Sequence, residues 1–292
     1  MREGDIDASG EGAPDQAYRE LFLARTQILL GKEDLAVLKD KCVLVAGCGG
    51  VGGITLVTLA RLGVGRFLLP DPSCFDAPDV NRQYAATRAT LGRNKAAVYQ
   101  DLLHEIDPSI SVQIYQDGVT EDNLEELLSA ADLVIDALDY VLPLSLRLRF
   151  YRRARETGRY CISSPILGFG TMMLVAAPGG MGMEPLIERF VQVGSTSPKL
   201  PGGFGDLFFP QHVAKFEQHV ASAIPSCSIA TCFSAGAQCT EAALILLGDR
   251  HPDWRAPICL PQILVLEPLR PTYRVVHYTD LFTDLDDLDP AR

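Results

Sequence analysis

The sequence has no paired C-x-x-C, although it holds eight cysteines, at 42, 48, 74, 161, 227, 232, 239 and 259. Structural zinc sites draw ligands from such close pairs, so zinc is not expected. Irregularly spaced cysteines within apolar runs read instead as buried free thiols. Cationic side chains are scarce as well: 26 Lys and Arg against 37 Asp and Glu leave a formal charge of −11. That balance argues against nucleic acid or an anionic membrane as the main partner. The opening MREGDIDASGEGAPD is acidic and has no apolar core, so neither a signal peptide nor a transit peptide is expected there, and residues 1–16 read as disordered. The charge-free stretch 43–60 has the length of a membrane span, but its clustered glycines and strand-like flank argue against one. The expectation is a cytoplasmic protein. No internal repeat is visible.

What is present is concentrated between 42 and 71, CVLVAGCGGVGGITLVTLARLGVGRFLLPD. A short apolar run, 43–46, is bounded by glycine as a buried parallel strand would be. Gly47, Gly49, Gly50 and Gly52 follow, then an apolar stretch of helical length, then a second apolar run that delivers Asp71. Strand, glycine turn, helix, strand and acid make the first βαβ unit of a nucleotide-binding sheet. The glycines let backbone N–H groups approach phosphate at a helix N-terminus, where the dipole favours negative charge. Asp71 ends the second strand, within reach of a ribose hydroxyl.

Beyond this unit the pattern alternates. Residues 17–30 form an amphipathic helical pattern carrying Arg19 and Arg25, and 33–39 a short helix. Residues 72–91 read as a charged loop, 94–106, 121–130 and 143–157 as helices, and 110–115, 133–135 and 160–163 as strands. The arginine-rich face of 147–155 reads as solvated. The expected fold is α/β: a mostly parallel, Rossmann-like sheet with helices on both faces. The second half adds a strand at 170–177, a Gly- and Pro-rich loop at 178–224, an apolar helix at 228–247 and antiparallel strands at 262–267 and 272–278. The division expected is a disordered 1–16, one domain over 17–280 (nucleotide-binding half 40–165, substrate-covering half 166–280) and a frayed acidic tail at 281–292.

Ligands of open parallel sheets sit at the carboxyl ends of the strands. Asp71, the triplet Asn81-Arg82-Gln83, Lys95 and Asp139 all follow such ends. Two cations and two acids around a phosphate cradle suggest a triphosphate with Mg²⁺ rather than a dinucleotide, a carboxylate being the expected protein ligand of Mg²⁺. A lone G-x-G-x-x-G with Asp71 would also suit an NAD-dependent oxidoreductase, although that leaves Arg82, Lys95 and Asp139 without a role.

With these pieces in order, the chain resembles the ThiF/MoeB/ubiquitin-activating superfamily of adenylyltransferases. The resemblance spans about 25–247 and rests on GCGGVGG, LARLGVG, Asp71, NRQ, the GRNK segment ending in Lys95, and VIDALD ending in Asp139. It implies that the glycine turn and Asp71, flanked by Asn81 and Gln83, hold ATP, that Arg82 and Lys95 contact the phosphates, and that Asp139 binds Mg²⁺. It further implies a homodimer in which Arg25 reaches the partner subunit's site. The implied reaction activates the C-terminal carboxylate of a small ubiquitin-like or sulfur-carrier protein, or a peptide, as an acyl-adenylate. Three departures stand out: Ser73 where relatives carry a second acid, Asp79 where they carry asparagine, and Tyr140 where asparagine follows the metal ligand. These departures are what a catalytically inactive binding scaffold would show. No cysteine lies between Cys161 and Cys227, which disfavours a thioester step, with Cys227 the fallback.

Overall fold

The structure, a computed structural model, describes residues 15–138, 142–196, 199–219 and 225–288. Three helices lead in: α1 (Asp15–Phe22), α2 (Ala24–Leu30) and α3 (Lys32–Asp40). Then come β1 (Cys42–Ala46), α4 (Gly50–Leu62), β2 (Arg66–Pro70), a 3-10 turn Ala77–Asn81, α5 (Lys95–Ile106) and β3 (Ser111–Tyr115). The chain continues through α6 (Leu124–Ala130), β4 (Leu133–Asp136), α7 (Leu144–Glu156), β5 (Tyr160–Ser163), β6 (Ile166–Leu167) and β7 (Gly170–Ala176). It closes with α8 (Glu184–Thr196), α9 (Gly203–Leu207), α10 (Pro210–His219), α11 (Ser228–Leu247), β8 (Gln262–Glu267), β9 (Thr272–His277) and a 3-10 segment Tyr278–Leu288.

The sheet runs β3-β2-β1-β4-β5-β7-β8-β9, with β6 pairing off β7. Its first five strands are parallel, and the pairings from β5 to β7 onward are antiparallel. β1 lies between β2 and β4, in register Leu44↔Leu68 and Leu44↔Val134. The strand order therefore reverses at the end of β1, the place where such sheets open a crevice. Strand alternation divides the core in two. Val43, Val45, Phe67 and Ile135 face α4, α5 and α11, whereas Leu44, Leu68, Val134 and Met172 face α6, α7 and α9. The expected α/β architecture with helices on both faces is the one observed.

One helix from the second half closes over the first. α11 packs along α4, with Thr55 Oγ1 donating to Gln238 Oε1 at 2.7 Å. Ser228–Arg250 is long and apolar enough to cross a membrane by length and composition alone, but 56% of its apolar 18-residue stretch is buried inside the fold. Its buried Ser234, Gln238 and Glu241 are held by partners inside the protein.

Several sequence expectations need correction. The Gly- and Pro-rich stretch 178–224 is not a loop throughout, for it carries α8, α9 and α10. Its described prolines stand at helix starts or outside the helices, where they are tolerated, whereas Gly194 and Gly205 lie within α8 and α9. The acidic tail does not fray at its start: Leu281 and Phe282 are buried, and Phe282 packs on Phe190. The helix expected over 17–30 breaks at the buried Leu23. Cys74 and Cys232 are exposed rather than buried. The arginines of α7 are not simply solvated either, since Arg147, Arg149, Arg153 and Arg155 pair with Asp136, Glu121, Glu125 and Glu184.

Candidate functional site

The glycine turn is built by exclusion of side chains. Gly47 has φ +96°, and a Cβ there would stand 2.4 Å from the Ala137 carbonyl oxygen. A Cβ on Gly52 would stand 1.9 Å from the Gly47 carbonyl oxygen. Any larger residue would push apart the turn, the start of α4 and the exit of β4. Gly49, the N-cap of α4, offers no capping side chain, and the first turn holds no acid. The helix thus presents uncapped amides at its positive end, a setting that favours an anion.

Asp71 secures this turn. Its Oδ2 accepts the Cys48 N–H at 2.6 Å and its Oδ1 the Ser73 N–H at 2.8 Å, with the residue 6% exposed. Each carboxylate oxygen thus holds a backbone amide, one from each of the two loops that flank the site. Burial, then the neighbouring Asp71 charge, pushes the Cys48 thiol well above its ordinary pKa, so it stays a neutral core group.

The polar centre beside the turn is Asp79, which sits on the 3-10 turn after β2. Lys95 Nζ lies 3.2 Å from its Oδ2, and Arg82 lies 3.5 Å from its Oδ1. Gln83 Nε2 donates to the same Oδ1, and the Asp76 N–H donates to Oδ2 at 3.2 Å. Arg82 and Gln83 also border the glycine turn. A Cβ on Gly50 would stand 3.4 Å from Arg82 Cγ, and one on Gly49 4.0 Å from Gln83 Nε2. The 3-10 turn puts Arg82 and Gln83 three and four residues past Asp79, on its own face.

Lys95 reaches this cluster because Asn94 fixes the start of α5. Asn94 Oδ1 caps the helix by accepting the Ala97 N–H at 3.0 Å. Its Nδ2 donates to the Asp71 carbonyl at 3.0 Å, and the Lys95 N–H donates to the Ser73 carbonyl at 2.9 Å. The ammonium also lies 5.7 Å from the Phe75 ring centroid. Lys95 is 8% exposed, so its charge is expressed where the dielectric is low.

The other expected residues divide. Asn81 joins the site's rim to the second half, donating from Nδ2 to the Ser226 carbonyl at 3.1 Å. Arg25 is exposed on α2, whose main neighbours are α1 and α3, and is not brought to the cluster within this chain. Asp139 and Tyr140 lie outside the described residues. Immediately before them, Asp136 is 2% exposed and accepts from Tyr151 and Arg147. Arg147 donates as well to the Leu138 carbonyl at 3.3 Å, which holds the chain leaving β4.

Sequence reasoning missed Asp79, Asn94 and Asp136 as members of this constellation. Asp79 carried a usable signal: an acid followed at i+3 and i+4 by Arg and Gln in a turn-forming segment. Asn94 carried another, a capping residue directly before a lysine that opens a helix. Asp136 had none, because its partners come from a helix that starts eight residues later.

The chain is 38% identical over 119 residues to the tRNA threonylcarbamoyladenosine dehydratase of Bacillus subtilis (strain 168), covering 40% of this chain and 47% of that protein. It is 33% identical over 125 residues to the sulfur carrier protein adenylyltransferase of Thermus thermophilus, covering 43% and 45%. The matches thus span about half the length of these curated relatives. In fold it resembles MccB of E. coli solved with ATP, with TM-score 0.61, 16% identity and coverage of 92% of this chain and 73% of that one. PaaA gives TM-score 0.67 at 15% identity, covering 92% and 85%. The ThiF family model matches residues 23–274, across the glycine turn, the Asp79 cluster and α11 alike, and the chain belongs to the ThiF family.

Proposed function

We propose that this protein is an ATP-dependent adenylyltransferase that activates the C-terminal carboxylate of a small carrier protein or peptide. One observation carries the reading: Arg82, Lys95 and Gln83 converge on a single point beside the uncapped N-terminus of α4. A dinucleotide cradle needs the glycine turn but gives no work to two such cations. The family supports nucleotide binding and adenylyl transfer, and relatives solved or named with ATP, with MccA or with a sulfur carrier suggest the acyl substrate's class.

In this reading a substrate carboxylate oxygen attacks the α-phosphorus of ATP. A phosphorus–oxygen bond forms, the bond to the bridging oxygen breaks, and pyrophosphate leaves with the electron pair. No nucleophile from the protein is needed for that step. The chain contributes position and charge. The amides of Gly50 and the residues after it hold phosphate, while Arg82 and Lys95 balance charge that develops on the leaving oxygens. Asp71 keeps the turn in shape, and Asn81 and Gln83 order the rim. Among the described residues no group of three or more His, Cys, Asp or Glu is arranged to hold a metal ion. Mg²⁺ at polyphosphate sites needs only one or two carboxylates beside phosphate oxygens, a requirement that Asp139 fits by residue type. Such an ion would neutralise the leaving group.

The same reading includes a cytoplasmic homodimer. In its support, α2 buries none of its residues, and Ile28 and Leu29 are 85% and 82% exposed. Phe233 and Ile229 on α11 are exposed as well. In this reading a second copy covers these faces, and Arg25, exposed on the same α2, serves the partner subunit's site.

The test is ligand-dependent unfolding. ATP with Mg²⁺ should raise the melting temperature, with about 2.7 kcal/mol of added stability at a hundredfold excess over Kd, while NAD should not. Stabilisation by NAD alone would replace this reading with the oxidoreductase. Indifference to both would favour the scaffold.

A further inference from the structure

We infer that Asp79 makes polyphosphate binding conditional on a divalent cation, serving as a protein ligand to that cation once phosphate takes Lys95 and Arg82. The inference rests on the nucleotide reading above. It begins with charge. Lys95 and Arg82, the two cations placed to receive phosphate, both face one carboxylate. That carboxylate is well enclosed, with 9% of its side chain exposed, so water screens it poorly. Phosphate oxygens drawn to the same two cations must come to rest beside Asp79, anion against anion. A like-charge contact in a sheltered site opposes binding unless a cation is shared between the two. A carboxylate and phosphate oxygens are the donor set that Mg²⁺ takes, together with water.

A second observation points the same way. Gln83 is 5% exposed and its Oε1 has no hydrogen-bond partner, while its Nε2 donates to Asp79 Oδ1. The amide cannot be turned round, because an ionised carboxylate only accepts. Its carbonyl oxygen is thus held as a buried, unsatisfied acceptor attached to the very carboxylate in question, and buried acceptors of this kind demand a donor or a cation. A hydrated cation on Asp79 supplies either, directly or through one of its waters. Asparagine at 79 would keep the shape of the turn and remove the charge. Such a site would accept polyphosphate with or without metal.

The experiment is calorimetric binding of a methylene-bridged ATP analogue, with Mg²⁺ or with a chelator, to the full chain and to Asp79→Asn. AMP, which lacks the outer phosphates, serves as the control. Chelation should weaken the analogue's binding to the unaltered protein by about tenfold or more. Asp79→Asn should bind the metal-free analogue about tenfold more tightly than the unaltered protein and lose most of the metal dependence. AMP should bind both proteins alike in either buffer. The inference is overturned if Asp79→Asn binds the metal-free analogue no more tightly, or keeps the full dependence on Mg²⁺. If Asp79→Asn does not fold, Asp79→Ser takes its place, with the same two outcomes deciding. In the unaltered protein, equal affinity for the analogue with and without metal overturns it as well. Failure to bind the analogue even with Mg²⁺ would overturn the nucleotide reading itself, a result separate from the others.

Discussion

Asn94 donates from Nδ2 to the main-chain carbonyl of Asp71 at 3.0 Å while its Oδ1 caps the helix that Lys95 opens. One side chain thus fixes the distance between the end of β2 and the ammonium in the site. Asn94→Ala should lower stability by about 1 kcal/mol, as loss of a cap does. It should reduce ATP–pyrophosphate exchange by far more than that loss explains, roughly ten- to a hundredfold, because a misplaced group loses its advantage of position. Urea unfolding and exchange rates on one preparation check both.

Lys95→Met should abolish exchange while leaving the chain folded. Removing the ammonium leaves Asp79 buried with Arg82 only partly in its place. The cost should be about 1–3 kcal/mol, read as a shift in the urea midpoint without a change in slope.

The glycines predict opposite outcomes. Gly52→Ala should prevent folding or destabilise by several kcal/mol, because the added methyl would stand 1.9 Å from a backbone oxygen. Gly205→Ala, within α9 and with no atom within 4 Å, should stabilise by about 0.5–1 kcal/mol. Thermal unfolding of the two variants separates them.

Arg19 is 4% exposed, pairs with the fully buried Asp107, and donates to the Gly63 carbonyl at the end of α4. It therefore anchors α1 to two helices of the nucleotide-binding half. Arg19→Ala should cost about 3–5 kcal/mol by leaving Asp107 charged and unpaired, whereas the double change Arg19→Met with Asp107→Leu should recover much of that. Chemical denaturation of the three proteins measures the difference.

Acid should weaken the fold through Asp34. Burial raises its pKa, but hydrogen bonds from Arg250 and His251 outweigh that and hold it below the ordinary carboxylate value. A group with a depressed folded pKa stabilises above its unfolded value of about 4 and loses that contribution as pH falls through the folded one. Stability should decline below about pH 4, and Asp34→Asn should flatten that decline while lowering stability at neutral pH. Urea midpoints from pH 3 to pH 7 show the slope.

Much of this was legible before the structure. The short apolar runs at 43–46 and 133–135 read as buried parallel strands because glycine and acid bound them, and the alternation at 262–267 and 272–278 read as an antiparallel pair. The grouping of Arg82 and Lys95 near the glycine turn also followed from their place after strand ends. The helices α8 to α10 did not follow, since glycine and proline between them mask short amphipathic patterns. Leu281 and Phe282 were hidden by acidic neighbours, yet they fill the core beside Phe190 and Phe204. Asp79 was visible only as a departure from a family pattern. That it gathers two cations and an amide depends on the 3-10 turn, which length and composition do not specify.

The docking of α11 on α4 has a consequence for the order of biosynthesis. Thr55 finds its partner in Gln238, and Gly50 meets Thr231, across a separation of more than 170 residues. During translation the βαβ unit leaves the ribosome long before the helix that shields it. A nascent chain stopped ahead of Ser228 would hold its cradle without a roof, exposing apolar surface to chaperones and proteases until the last quarter of the polypeptide arrives.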